Sequence, residues 1–130
     1  MQVSNFQYKN PHLKEIRYIE NEQFNPKIQQ VEFENNFNVK ISLINANSAE
    51  VEFTLILQTL ENDNGPFSLQ ICVAAEFEWN EELQDEDTIK SLLNLNAPAL
   101  LLGFMRPIVA NITNLSQFPV YNIPFIDFTK

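Results

Sequence analysis

Between Phe37 and Trp79, apolar residues recur at every second position in three successive runs, and this period constrains the chain more than any other feature. Phe37, Val39, Ile41 and Leu43 alternate with Asn38, Lys40 and Ser42. Val51, Phe53, Leu55 and Leu57 alternate with Glu52, Thr54, Ile56 and Gln58. Phe67, Leu69, Ile71 and Val73 alternate with Ser68, Gln70 and Cys72, and Phe77 and Trp79 resume after Ala74-Ala75. Successive side chains of a strand point to opposite faces, so each run predicts a strand with one covered and one solvated face. The links are short and polar. Asn45 to Ser48 joins the first two runs. Asn62-Asp63-Asn64-Gly65-Pro66 joins the next pair, with Gly65 placed to take a positive φ. Consecutive strands on short links imply an antiparallel meander. An earlier strand is predicted over about Phe6 to Ile19, broken near Pro11, which donates no ladder hydrogen bond. Asn21 to Gln30, with Pro26, is too long and irregular for a hairpin and reads as a crossover loop.

The period changes after Trp79. An acidic run, Glu81 to Asp87, precedes a short predicted helix over Thr88 to Leu95, with negative charge at its favourable end. Asn96 has the chemistry of an N-cap, with Pro98 in the first turn of a longer helix. Leu101, Phe104, Met105, Ile108, Val109, Ile112 and Leu115 then recur at intervals of three and four. Leu100 and Leu102 lie off that stripe, so the helix is apolar around much of its girth and is expected to be covered on more than one side. Pro107 interrupts it. An interior proline costs about 3 kcal/mol and forfeits the bond to the carbonyl of Gly103, so a kinked but continuous helix is expected. Phe118-Pro119 ends it, and Val120 to Lys130 is read as an extended tail. The whole, residues 1–130, reads as a single α+β domain.

Composition narrows the chemistry. Eight Lys and Arg stand against 17 Asp and Glu, a formal net charge of −9, which disfavours nucleic acid and favours basic partners. Cys72 is the sole cysteine and His12 the sole histidine. No intrachain disulfide can form, and no Cys/His zinc site can be assembled. Cys72 lies in an apolar run, where a buried inert thiol is expected. Glu32 with Glu34, and Glu76 with Glu78, share strand faces without forming a recognisable acid–base pair. A glycine-rich phosphate loop and a Gly-x-Ser-x-Gly element are both missing. The N-terminus has no basic or apolar leader pattern, and the longest apolar run, Ala97 to Met105, is too short to span a bilayer. The expectation is a soluble, cytoplasmic, non-enzymatic protein without metal or cofactor, whose surplus apolar surface serves self-association or apolar ligands.

Several stretches carry a resemblance. Ala97-Pro98-Ala99-Leu100-Leu101-Leu102-Gly103-Phe104-Met105-Arg106 is similar to the helix start of the SecB family of protein-export chaperones, Cys-Pro-Asn-Ile-Leu-Phe-Pro-Tyr-Ala-Arg. Phe118-Pro119-Val120-Tyr121-Asn122-Ile123 follows at family spacing and resembles Phe-Pro-x-Leu-Asn-Leu, with Phe128 on a family aromatic. Phe24-Asn25-Pro26-Lys27-Ile28 is similar to the crossover-loop Trp-x-Pro-x-Val, and Lys14 to Tyr18 to the first-strand Lys-Asp-x-Ser-Phe. Phe67 to Phe77 aligns without gaps to the fourth strand, with Ala74-Ala75 at a Gly-Gly position. The resemblance covers about residues 6 to 128. It has departures. No second helix or acidic tail precedes Lys130, which implies a short form. Gln70 and Ile19 stand at acidic positions used for docking the translocase motor, although Glu20 is adjacent to Ile19. Pro107 falls where the family helix has none.

The resemblance implies a four-stranded antiparallel sheet with one long C-terminal helix, assembled as a dimer of dimers with helices sandwiched between sheets. It implies an ATP-independent holdase that grips unfolded polypeptides, either for export or for one dedicated client such as an antitoxin of a toxin–antitoxin system. The competing class is an apolar small-ligand carrier, or an enzyme on a similar fold. Client-binding candidates are Phe24, Pro26 and Ile28 in the crossover loop, Phe104 and Met105 on the helix, and Ile123 and Phe125 in the tail. Each has a plainer alternative: a loop pinned to the core, an oligomer core, or a packed arm. Trp79, beside Glu76, Glu78, Glu81 and Glu82, is either a client contact with an acidic rim or an edge aromatic. Leu101, Met105, Ile108 and Ile112 are candidates for the oligomer interface, and Glu15 for translocase docking.

Overall fold

The structure, a computed structural model, describes residues 1–24, 31–59 and 65–129. Four strands form one antiparallel sheet: β1 (Phe6–Glu20), β2 (Phe33–Asn45), β3 (Ser48–Thr59) and β4 (Phe67–Trp79). Their order is β1-β4-β3-β2, so β2, β3 and β4 make the expected meander and β1 lies on the far side of β4. The chain must therefore cross the end of the sheet between β1 and β2. That crossover starts at Asn21; its residues 25–30, with Pro26 and Ile28, lie outside the described residues, as do Asn62 to Asn64 of the β3–β4 turn.

β1 is continuous where a break was expected. Its register with β4 slips twice, between Lys9 and His12 and between Leu13 and Glu15. The first slip bulges out Asn10-Pro11, and Asn10 takes a left-handed φ of 55°, which asparagine tolerates better than most residues. Each bulge shifts the alternation by one position. Leu13 opposes Val73 and Ile16 opposes Ile71, on the core face, while Lys14 reaches Glu50 and Glu52 on the opposite one. A strict period of two would have turned Lys14 toward the core.

The helical part runs without interruption from Glu86 to Asn114. It comprises α1 (Glu86–Ser91), a π-helical segment (Leu92–Asn96) and α2 (Ala97–Asn114). Asp85 caps α1, accepting from the Asp87 N–H and the Thr88 hydroxyl, and these bonds hold its carboxyl below the usual aspartate pKa. Asn96 is not a cap. It has helical dihedrals and makes no side-chain cap bond, because the π-helical turn feeds directly into α2 and the Ala97 N–H already bonds to Leu92 O. Pro107 sits within α2, which continues through it as expected. The 29-residue helix is long and apolar enough to cross a bilayer by length and composition, although its uninterrupted apolar run is short; its buried face lies against the sheet.

α2 packs on β3 and β4. The face it turns inward carries Leu101, Leu102, Met105, Val109 and Thr113, all buried, against Val51, Phe53, Leu55, Ile71 and Val73. This corrects the predicted stripe in two places. Leu102 is 4% exposed and belongs to the core, whereas Leu115 is 83% exposed. Counting by threes and fours admits either face of a helix this apolar, and only the sheet chooses between them. Cys72 is half-buried rather than buried, because its strand position faces away from the helix.

Candidate functional site

Antiparallel order brings four element ends together at one edge of the core: the end of β1, the start of β2, the start of β4 and the chain leaving α2. Each contributes an aromatic ring. Phe33 stacks on Phe67 with centroids 5.2 Å apart, and Tyr18 tilts against Phe67 at the same separation. Tyr121 meets Phe33 edge-on at 5.1 Å, and Phe118 lies 6.3 Å from Phe67. Phe24 stands at right angles to Phe118 at 5.5 Å. Edge-to-face and offset pairs of this kind satisfy ring quadrupoles while leaving outer faces free.

Local hydrogen bonds aim these rings. Asn21 N–H donates to Pro66 O, and its side-chain amide donates to Gly65 O, tying the crossover to the β3–β4 link. Asn21 also accepts from the N–H groups of Gln23 and Phe24, a turn that directs Phe24 toward Phe118. No described glycine has a positive φ, so Gly65 is not needed for its dihedrals. It is needed for space: a Cβ there would sit 2.2 Å from Thr59 Cγ2. At the helix end, fully buried Thr113 donates to Val109 O and accepts the Tyr121 N–H. Ser116 donates to Thr113 O and accepts the Phe118 N–H. The chain thus reverses with Phe118 and Tyr121 both turned onto the sheet. The Tyr18 hydroxyl is sealed off without a hydrogen bond among the described residues, and burial raises its pKa.

Between the rings opens a cleft of about 540 Å³, lined by Phe24, Val31, Phe33, Pro66, Phe67 and the segment Gln117 to Tyr121. Its described wall is mainly aromatic and aliphatic, with Gln117 as a polar side chain and the Tyr121 phenol as the one ionisable group among the described residues. Such a cleft can hold apolar side chains of an extended polypeptide. Among the described residues no group of three potential metal ligands occurs.

The expected site residues fall in different places. Phe24 lines the cleft; Pro26 and Ile28 lie outside the described residues. Met105 is fully buried and Ile123 is 5% exposed, both in the core, while Phe104 is half-buried beside it. Phe125 projects wholly into solvent. Trp79 is buried near Phe6 at the opposite end of the sheet, 6.3 Å away ring to ring, and lies on β4, an interior strand; it is a core aromatic, neither an exposed contact nor the edge aromatic expected. Of the interface candidates, Leu101 and Met105 are consumed by the sheet of the same chain, whereas Ile108 and Ile112 remain half-buried with Leu100 and Phe104 on the outer flank of α2. Glu15 is exposed on β1, and its carboxylate accepts the Gln70 amide at 2.9 Å. Sequence reasoning missed Val31, Phe33, Phe67, Phe118 and Tyr121 as one site. The signal was available: an antiparallel sheet places residues 20, 33 and 67 at one end, beside Pro66 and Pro119.

The solvent face of the sheet is ionic. Lys14 bridges Glu50 at 3.2 Å and contacts Glu52, and Lys9 spans Glu76 and Glu78 at 3.7 and 3.5 Å. Hydrogen bonding to Lys14 holds the Glu52 carboxyl below its ordinary pKa, and the same bonds raise Lys14.

Comparison with known proteins places this geometry. Residues 4–130 match the family model described as preprotein translocase subunit SecB. A protein-export protein SecB of Anaplasma phagocytophilum (strain HZ) is 34% identical over 61 residues, 47% of this chain and 38% of that protein, so the match spans well under half of that relative's length. Among solved structures, the Mycobacterium tuberculosis SecB-like chaperone in complex with a ChAD peptide from the HigA1 antitoxin superposes with a TM-score of 0.77. Identity there is 14%, with 94% of this chain and 91% of that one covered, which establishes a shared fold. A Streptococcus agalactiae protein of unknown function superposes at 0.56 with 13% identity, covering 95% of this chain and all of that one.

Proposed function

As the chain belongs to the SecB family, we propose that it is an ATP-independent holdase whose aromatic cleft binds apolar side chains of unfolded polypeptides. The observation that carries this reading is the cleft itself: open, largely aromatic, and placed where the crossover loop begins. Burial of client side chains there contributes roughly 25 cal/mol per Å² without sequence specificity. Phe24 and Phe118 form one wall and Phe33 and Tyr121 another, so rings can adjust to varied clients. A negative surface adds attraction for basic clients. The chain acts as one chaperone domain in the cytoplasm, with no catalytic step of its own.

Self-association follows from α2. Its inner face is satisfied by the sheet, but Leu100, Phe104, Ile108 and Ile112 remain half-buried on its outer flank. Packing those flanks between copies would give the dimer of dimers, with Ile108 and Ile112 rather than Leu101 and Met105 at the contact. A client-dedicated role is favoured over general export by β1 and β4: Glu15 is already engaged by Gln70, so docking a translocase motor through it would first break that bond.

The test is client aggregation. A chemically denatured, slow-folding protein is diluted into buffer with and without the chain, lacking ATP, and scattering is followed. Suppression is expected for denatured clients and no binding for the same protein once folded. Phe24→Ser should weaken holding without changing assembly mass. Unchanged aggregation at several-fold excess, for clients of both charge signs, leaves only the dedicated-client role, which then requires its cognate partner. A wild-type chain that binds small apolar ligands but no denatured protein supports the carrier instead.

A further inference from the structure

The tail beyond Pro119 sits on the sheet as a bound peptide would. It forms no ladder with any strand, yet it runs beside α2 and puts two spaced pairs of apolar side chains onto the core. Tyr121 and Ile123 are followed by Ile126 and Phe128, and the Phe128 ring meets Phe53 edge-on at 5.8 Å. Phe53 is itself stacked on Phe37 at 5.0 Å and is completely covered. The backbone is gripped by a side chain: the Arg106 guanidinium donates to Ile123 O and Pro124 O. A guanidinium that reads two carbonyls reads no side chain, so any extended polypeptide offers it the same acceptors.

We propose that Phe125–Thr129 is a strap occupying a second client subsite, the floor around Phe37 and Phe53, from which an extended client segment with alternating apolar side chains displaces it. This rests on the holdase reading above. The hold is graded along the tail. Up to Ile123 the tail is fixed, because Tyr121 N–H bonds to Thr113, the Tyr121 hydroxyl bonds to Asn35, and Ile123 is buried. Beyond Pro124 it is not. Among the described residues, the hydrogen bonds of this segment are local, from Thr129 to Asp127. Phe125 is fully exposed, and Ile126 and Phe128 are only half-buried. A cleft of about 580 Å³ between Leu95, Ala99 and the strap leaves one flank open. Pro124 is therefore the hinge, and what the strap uncovers is continuous with the fixed part of the tail and hence with the Tyr121 wall of the first cleft.

The experiment uses a fluorescently labelled synthetic peptide, Phe125 to Thr129, as probe. Deletion of residues 125–130 and, separately, Phe128→Ser are compared with the wild type, each checked for helix content and assembly mass. Wild type is expected to bind the probe poorly, and both variants at least tenfold more tightly. The probe should compete with a denatured client for the variants. Two folded variants that bind the probe no better than wild type, while wild type still holds clients, would overturn the strap alone. Probe and client bound without competition would overturn the shared subsite. If neither form holds any client, the holdase reading falls and the exchange falls with it, whatever the probe does.

Discussion

β1 and β3 are long strands of the same sheet with similar apolar alternation, yet they end differently. Val51, Phe53, Leu55 and Leu57 of β3 are each 0% exposed. On β1, Tyr8, Leu13 and Ile16 lie on the same face of the sheet and remain 47%, 44% and 36% exposed. The difference is the second layer. α2 and the tail lie over the middle strands and leave β1 uncovered. Alternation says which face is apolar; only the neighbouring layer makes it dry. On the proposed holdase reading, the uncovered part matters as much as the core.

The largest effect expected is from charge placed under that layer. Met105→Asp buries an unpaired carboxylate against β3 and β4 and should abolish cooperative folding, seen as loss of the thermal transition. Ile108→Asp, on the outer flank of the same helix, should leave the chain folded and instead lower the mass of the assembly by light scattering. If both variants behave alike, the two flanks of α2 are not distinct.

Phe53→Ala should cost about 3–5 kcal/mol in denaturant titration, because it opens a cavity between Phe37 and Phe128. Ile16→Ala on β1 should cost less than about 1 kcal/mol, since its side chain is already partly wet. Equal losses would mean that β1 is covered in solution.

Thr113→Val should cost about 1–3 kcal/mol, as it leaves the Tyr121 N–H without its acceptor at the point where the tail turns onto the sheet. The variant should also release Tyr121 from Asn35, which hydrogen exchange would detect.

Smallest are the exposed pairs. The folded pKa of Asp85 is depressed, so its cap contributes above the unfolded value near 4 and is lost as pH falls through the folded value. Circular dichroism should show helix loss in that acid window for wild type, and Asp85→Ala should start from lower helicity without that step. Glu52 follows the same sign, depressed by Lys14. Lys14 is raised, so its contribution holds below the unfolded lysine value and is lost at alkaline pH as it passes the folded one. Glu52→Gln should shift stability only slightly, and less at high salt.

Much of this was legible beforehand for a local reason. The alternation of β2, β3 and β4, the acidic start of α1 and the passage of α2 through Pro107 all depend on residues a few positions apart. The errors share the opposite cause. Asn96 has cap chemistry, but a preceding helical turn removed the end it would have capped. Gly65 suggested a special dihedral, when the real demand was room beside Thr59. Leu102 and Leu115 are equally apolar in the sequence and lie on opposite sides of the decision.

The sequence by itself determined the periods, and so the strands, the helix and their apolar faces, because backbone geometry repeats every two residues or every 3.6 whatever the rest of the chain does. It also carried the family resemblance, in the Ala97–Arg106 and Phe118–Ile123 stretches. Tertiary structure alone decided that Phe24, Phe33, Phe67, Phe118 and Tyr121 form one cleft, and that Phe128 covers Phe53. Those partners lie up to 97 residues apart, and their meeting depends on strand order and on which helix flank the sheet accepts. No local period encodes either choice; both follow from closing one apolar layer over another.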